Sequence, residues 1–175
     1  ASESEVESLD AAYVPAKVAL TEEQLKTHLN DATVATVLLR RHVQLTGPVN
    51  VGSRGGTSIA LVGSCGGGGD GGGGGGDTKC TITAKDGDVR GIVVVYGVKA
   101  RMTVTVRNVR FKGGVNVENG GALWTRADGG GGADRFDHLL HVVGCEFVGN
   151  EAKWDGGAVY TDGGILIENS TFIGN

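Results

Sequence analysis

Aromatic side chains are scarce in this 175-residue chain: 4 Phe, 2 Trp and 3 Tyr make up 5% of it, beside 2 Pro and 1 Met. A large mixed-layer enzyme is not what so few rings build. Positive charge is not in excess either, since 16 Lys+Arg stand against 20 Asp+Glu for a net charge of −4. The counterion release that drives nucleic-acid binding therefore has no source. Long apolar runs are missing too. The longest, Val34–Leu39 and Ile92–Tyr96, fall far short of the roughly 20 residues that a membrane-spanning helix needs. The chain opens Ala1-Ser2-Glu3-Ser4-Glu5, with no Met and no charged-then-apolar leader, and so reads as a processed polypeptide.

Glycine is what the chain has in quantity, 33 residues, and its 39% of apolar side chains are mostly Val, Ile, Leu and Ala. That mixture suits a thin, repetitive core. Of 3 Cys, two bracket the tract Gly66–Asp77. Glycine loses the most backbone entropy on ordering, so such a tract cannot hold its own base together. A Cys65–Cys80 disulfide is expected there, constraining the unfolded chain by roughly 3 kcal/mol; the competing reading is a pair of buried thiols on neighbouring turns. Cys145, between Val143-Gly144 and Glu146-Phe147, reads as a small core residue rather than a nucleophile.

Residues 1–17 are acidic and aperiodic, and are expected to form a tail ahead of a domain spanning 18–175. Thr21-Glu22-Glu23-Gln24 has the spacing of a capping box, with Leu20 and Leu25 at the staple positions and Leu25 and Leu29 one turn apart on one face. A short helix over about 22–30 is predicted, followed by strands at Val34–Leu39 and Val43–Leu45. Its single apolar stripe suits a cap over the end of a sheet stack.

Self-similarity carries the most information. Val104–Phe111, Leu140–Phe147 and Ile165–Phe172 align without gaps, each reading apolar-x-apolar-x-Asn/Gly-x-x-Phe. Gly120-Gly121-Ala122 and Gly156-Gly157-Ala158 follow their Phe at the same offset, and Asn150 and Asn175 each stand three residues after theirs. The Phe-to-Phe spacing is 36 residues, then 25, and the excess lies in a glycine-rich loop expected over 124–138. A period near 25 made of alternating strands and Gly or Asn corners is the pattern of a β-solenoid. Val104, Val106, Leu140, Val142, Ile165 and Ile167 should point inward, with Thr105, His141 and Leu166 outward. Phe111, Phe147 and Phe172 should stack. Asn108, Gly144 and Asn169 should turn the corner, because Asn and Gly tolerate the left-handed backbone region. Ser58–Cys65 and Cys80–Ala84 fit weaker rungs.

Phe147-x-x-Asn150 with Gly156-Gly157-Ala158, Phe111 with Gly120-Gly121-Ala122, and Phe172-x-x-Asn175 resemble the repeats of right-handed parallel β-helix proteins of the polymorphic outer-membrane-protein type. The predicted cap and entry strands look like the start of the broader pectate-lyase-like group. Gly114 departs from the pattern by standing where Asn would, which marks that rung as degenerate. The fold class expected is all-β: a right-handed parallel β-helix, a single-stranded solenoid with a short N-terminal capping helix.

Solenoids of this shape serve both as inert stalks or adhesins and as polysaccharide lyases or hydrolases, so only a site can decide. A calcium-dependent lyase needs clustered carboxylates and a basic residue. Asp128, Asp134, Asp137, Asp155 and Asp162, with Arg126 and Arg135, are the candidates, though beside Gly they read first as turn formers. No repeated carboxylate pair suggests a glycosidase. His138 and His141 fall on opposite faces of a strand, which excludes a zinc pair. The glycine tracts lack a following Lys-Ser/Thr and a helix, so no nucleotide is expected. Outward Thr81 and Thr83, or Thr103 and Thr105, are too few for an ice-binding ladder. Asn169-Ser170-Thr171 is a glycosylation sequon.

The expected function is that of a non-catalytic structural or adhesive stalk or assembly subunit, secreted or at the cell surface, without catalytic residues, metal or cofactor. The alternatives are a pectate-lyase-like enzyme and a lumenal accessory subunit docking through its acidic tail. The expected partner is protein or further rungs of the chain, since Asn175 leaves a rung unfinished and an edge uncovered. A glycan is a further candidate partner.

Overall fold

A computed structural model describes residues 16–52, 57–65, 79–85, 91–96, 102–116, 118–127 and 138–175. The acidic residues 1–15 and the glycine tracts at 66–77 and 128–137 lie outside the described residues.

Strand β1 (Ala16–Ala19) leads into helix α1 (Glu22–Asn30). The expected cap is realised: the Thr21 hydroxyl accepts from the Gln24 N–H at 3.2 Å, and Gln24 Oε1 accepts from the Leu20 N–H at 2.9 Å. These bonds satisfy donors that a helix start leaves open. The helix buries Leu25 and Leu29. It is sutured to the strands below by Asn30, whose amide donates to the Asn50 carbonyl and accepts from the Gly52 N–H, both at 2.9 Å.

The remaining elements are all strands: β2 (Thr36–Leu39), β3 (Val43–Leu45), β4 (Val49–Val51), β5 (Ile59–Gly63), β6 (Cys80–Ala84), β7 (Ile92–Tyr96), β8 (Met102–Arg107), β9 (Val109–Lys112), β10 (Val115–Asn116), β11 (Leu123–Ala127), β12 (His138–Val143), β13 (Glu146–Val148), β14 (Glu151–Ala152), β15 (Val159–Thr161), β16 (Gly164–Glu168) and β17 (Thr171–Ile173). They form open sheets in which each assigned pairing is parallel. Sheet I runs β1-β2-β5-β8-β12-β16, sheet II β17-β13-β9-β6-β3, sheet III β15-β11-β7-β4, and β10 pairs with β14. From β2 onward the chain visits sheets I, II and III in the same cyclic order. Among the described residues class and connectivity are thus mostly β and parallel, with one helix against β1 to β4.

The three aligned segments lie in register. Leu140 sits opposite both Val104 and Ile165, and Phe147 opposite both Phe111 and Phe172. Alternate residues fill the interior: Val104, Val106, Leu140 and Val142 are buried, as are Val37, Leu39 and Leu61 in the earlier strands of the same sheet. Between sheets I and II the chain turns through Asn108 at φ 53°, Gly144 at φ 60° and Asn169 at φ 48°, the left-handed conformation that the corner positions require. Asn108 adds a bond of its own, donating its side-chain amide to the Gly63 carbonyl at 2.9 Å.

Ala16 and Lys17, expected in the tail, lie in β1 and pair with Thr36 and Val37. Of the loop expected over 124–138, residues 124–127 belong instead to β11 and His138 opens β12, while 128–137 lie outside the described residues.

Candidate functional site

The repeat residues come together as two continuous ladders. Phe147 stacks on Phe111 at 5.2 Å between centroids and on Phe172 at 4.7 Å, with interplanar angles of 6° and 8°. Beside the rings runs a carboxamide ladder. Asn150 Oδ1 accepts from the Gly114 N–H at 3.0 Å while its amide donates to the Phe111 carbonyl at 3.2 Å. Asn175 repeats this in the next aligned segment: its Oδ1 accepts from the Asn150 N–H at 3.0 Å and its amide donates to the Phe147 carbonyl at 3.0 Å. Each Asn therefore ties itself to the preceding parallel segment.

Gly114 is not a degenerate Asn position. A Cβ there would stand 2.2 Å from the Gly121 carbonyl oxygen, so glycine is what the close approach of the Gly-Gly-Ala segment allows. The Gly-Gly pairs do the complementary task. Gly120 and Gly156 take φ of 62° and 63°, and Gly121 donates its N–H to the Gly157 carbonyl at 2.9 Å.

Cys65 and Cys80 form the expected disulfide, with Cα atoms 5.0 Å apart. Cys145 is buried with a free thiol, and burial pushes its pKa up, away from the thiolate a nucleophile needs. Asn169 is exposed at its corner, and Ser170 in the same sequon accepts from the Cys145 N–H at 3.0 Å.

Of the candidates for lyase chemistry, Asp128, Asp134, Asp137 and Arg135 lie outside the described residues. Arg126 places its guanidinium 4.9 Å over the Trp124 ring, which in turn meets Tyr160 edge-on at 6.4 Å. Asp155 is exposed. Asp162 instead serves a residue that the repeat pattern could have flagged. His138 stands two positions before the inward Leu140 and opposite Met102, so the same alternation turns it into the interior. It is 4% exposed, and its Nε2 lies 3.0 Å from Asp162 Oδ1. His141 points the other way and pairs with Glu168 at 2.8 Å. The two histidines thus share no site, and among the described residues no group of three His, Cys, Asp or Glu could hold a metal ion.

Burial pushes the His138 pKa below its ordinary value, and the Asp162 carboxylate partly restores it. Because the folded-state pKa is the lower one, the unfolded chain takes up the proton first. The contribution to stability is whole above the unfolded value of about 6.5 and is lost as pH falls through it toward the folded-state value. Thermal melts should therefore drop as pH falls below about 6.5. His138→Met, which installs the residue its column carries at Met102, should flatten that drop; an equally steep profile in the variant would assign it to other groups.

The ladders end at a face unlike the rest of the molecule. Ile165, Ile167 and Phe172 are 45%, 43% and 44% exposed, where their partners on the neighbouring strands, Leu140, Val142 and Phe147, are all at 0%. Strands β15, β16 and β17 are the edge strands of sheets III, I and II on this side. At the opposite side the edges β1, β3 and β4 lie against α1.

Comparison with known proteins gives no matching family model, no matching curated protein and no matching solved structure. Among the described residues no helix is long and apolar enough to cross a membrane.

Proposed function

We propose that the chain is a right-handed parallel β-helix of the polymorphic outer-membrane-protein type, acting as a non-catalytic structural or adhesive module at the cell surface or outside the cell. The parallel register between rungs and the cyclic order of sheets support the solenoid, and a parallel crossover of this kind is right-handed in nearly all proteins. The observation that carries the functional reading is the pair of ladders, in which the repeated Phe and Asn side chains serve to hold one repeat on the next. The Cys65–Cys80 disulfide supports an oxidising compartment.

Two readouts test it. On intact native cells, a membrane-impermeant amine reagent should label the chain. Incubation with polygalacturonate and calcium should yield neither unsaturated ends nor new reducing ends. Exclusion from labelling would remove the surface role, and product formation would make the chain a polysaccharide-active enzyme.

A further inference from the structure

The net charge of −4 conceals a segregation of charge across sheet II. The segments 39–45, 79–84 and 107–112, which form or lead into β3, β6 and β9, carry six of the 16 Lys+Arg and no Asp or Glu: Arg40 and Arg41, Lys79, then Arg107, Arg110 and Lys112. The segments 143–148 and 168–173, around β13 and β17, carry Glu146 and Glu168 and no cation. Because β3, β6 and β9 are neighbours in the sheet, the fields of their cations add.

Along β9 the side chains alternate, with Val109 and Phe111 buried and Arg110 and Lys112 on the outward face. The register places Thr81 and Glu146 on either side of Arg110, and Thr83 and Val148 on either side of Lys112. Threonine is short beside these long cations, so the surface drops over β6. The six residues line a depression of about 380 Å3, within the size range of small-ligand sites. Glu146 accepts from Arg110 Nη2 at 2.8 Å and fixes the guanidinium as one wall. Lys112 is exposed, and its ammonium has no ion-pair partner among the described residues.

The surroundings narrow the ligand. Strands β6, β9 and β13 are each paired on both sides, so a molecule on this face meets side chains, and a peptide could not add main-chain bonds as it would at an edge. No aromatic ring lines the depression for a nucleobase to stack on. An ammonium, a pinned guanidinium, two hydroxyls and a carboxylate beside the apolar Val148 suit a ring that carries hydroxyls and an acidic group. We propose that the outward face of sheet II over β6 and β9 binds an acidic polysaccharide, its carboxylate or sulfate on Lys112 and its hydroxyls on Thr81, Thr83 and Glu146. This names what the adhesive module adheres to, and it rests on that reading.

The test titrates the 175-residue chain by calorimetry, in EDTA at physiological ionic strength, with polygalacturonate, dextran sulfate, unsubstituted dextran, polyglutamate and duplex DNA. At least one of the two acidic polysaccharides should bind, and the tighter of them identifies the acidic group. The other three polymers should bind roughly tenfold more weakly or not at all. Lys112→Ala should weaken binding by roughly tenfold and Thr83→Val by roughly threefold, both with unchanged circular dichroism. Lys153→Ala, exposed beyond β14, should leave binding as it is. Binding of neither acidic polysaccharide, equal binding of polyglutamate or DNA, or a Lys112→Ala chain that binds like the parent would overturn the inference. Chelation removes the calcium that the cleavage test requires, and no cell labelling is involved, so this proposal and the proposed function fail separately.

Discussion

Phe147→Ala should lower the stability of the chain by about 3–5 kcal/mol, while Phe172→Ala should cost less than half as much. The two rings occupy the same column and differ in one respect. Phe147 is fully buried between two parallel neighbours, whereas Phe172 has a neighbour on one side and is 44% exposed. Removing the central ring deletes two stacking contacts and leaves a cavity that backbone-anchored strands cannot close. Removing the outer ring deletes one contact and opens onto solvent. Urea denaturation of both variants gives the comparison, and equal losses would show that the column does not act as a stack.

Gly121→Ala should be of similar severity, costing more than about 3 kcal/mol or preventing folding. The added Cβ would meet the Gly157, Glu151 and Gly114 carbonyl oxygens at 2.4, 2.5 and 2.7 Å. All three are backbone atoms held in place by ladder bonds on separate segments, so none can step aside as a side-chain tip would. Gly47→Ala, where nothing lies within 4 Å of the new atom, serves as the control and should stay within about 0.5 kcal/mol of the parent. Circular dichroism with urea titration distinguishes them, and a well-folded Gly121→Ala chain would show that the Gly-Gly-Ala approach is looser than drawn.

What could be read from the residues alone is what repeats. The helix over 22–30, the Phe column, the left-handed corners at Asn108 and Asn169 and the Cys65–Cys80 bridge each follow from a local signal: a capping box, a fixed offset, a residue type suited to positive φ, or a tract that needs a staple. The missed features depend on what neighbouring parallel strands do to one another. Strand β1 shows no alternation, being exposed except at Ala19, and exists because β2 supplies a partner edge. Gly114 looks like a lapse in the Phe-x-x-Asn pattern until the Gly121 carbonyl is seen pressing on it. Asp162 reads as a turn former beside Gly163 until His138 is placed inside.

The disulfide has a consequence for covalent topology. Elsewhere sheets I and II are joined by one to three residues, as at Asn108 between β8 and β9, but β5 and β6 are separated in sequence by residues 64–79, and a disulfide joins Cys65 to Cys80. The sulfur bridge acts there as the corner, in parallel with the peptide backbone. A protease cutting anywhere between the two cysteines would therefore leave one molecule under oxidising conditions and two fragments after reduction.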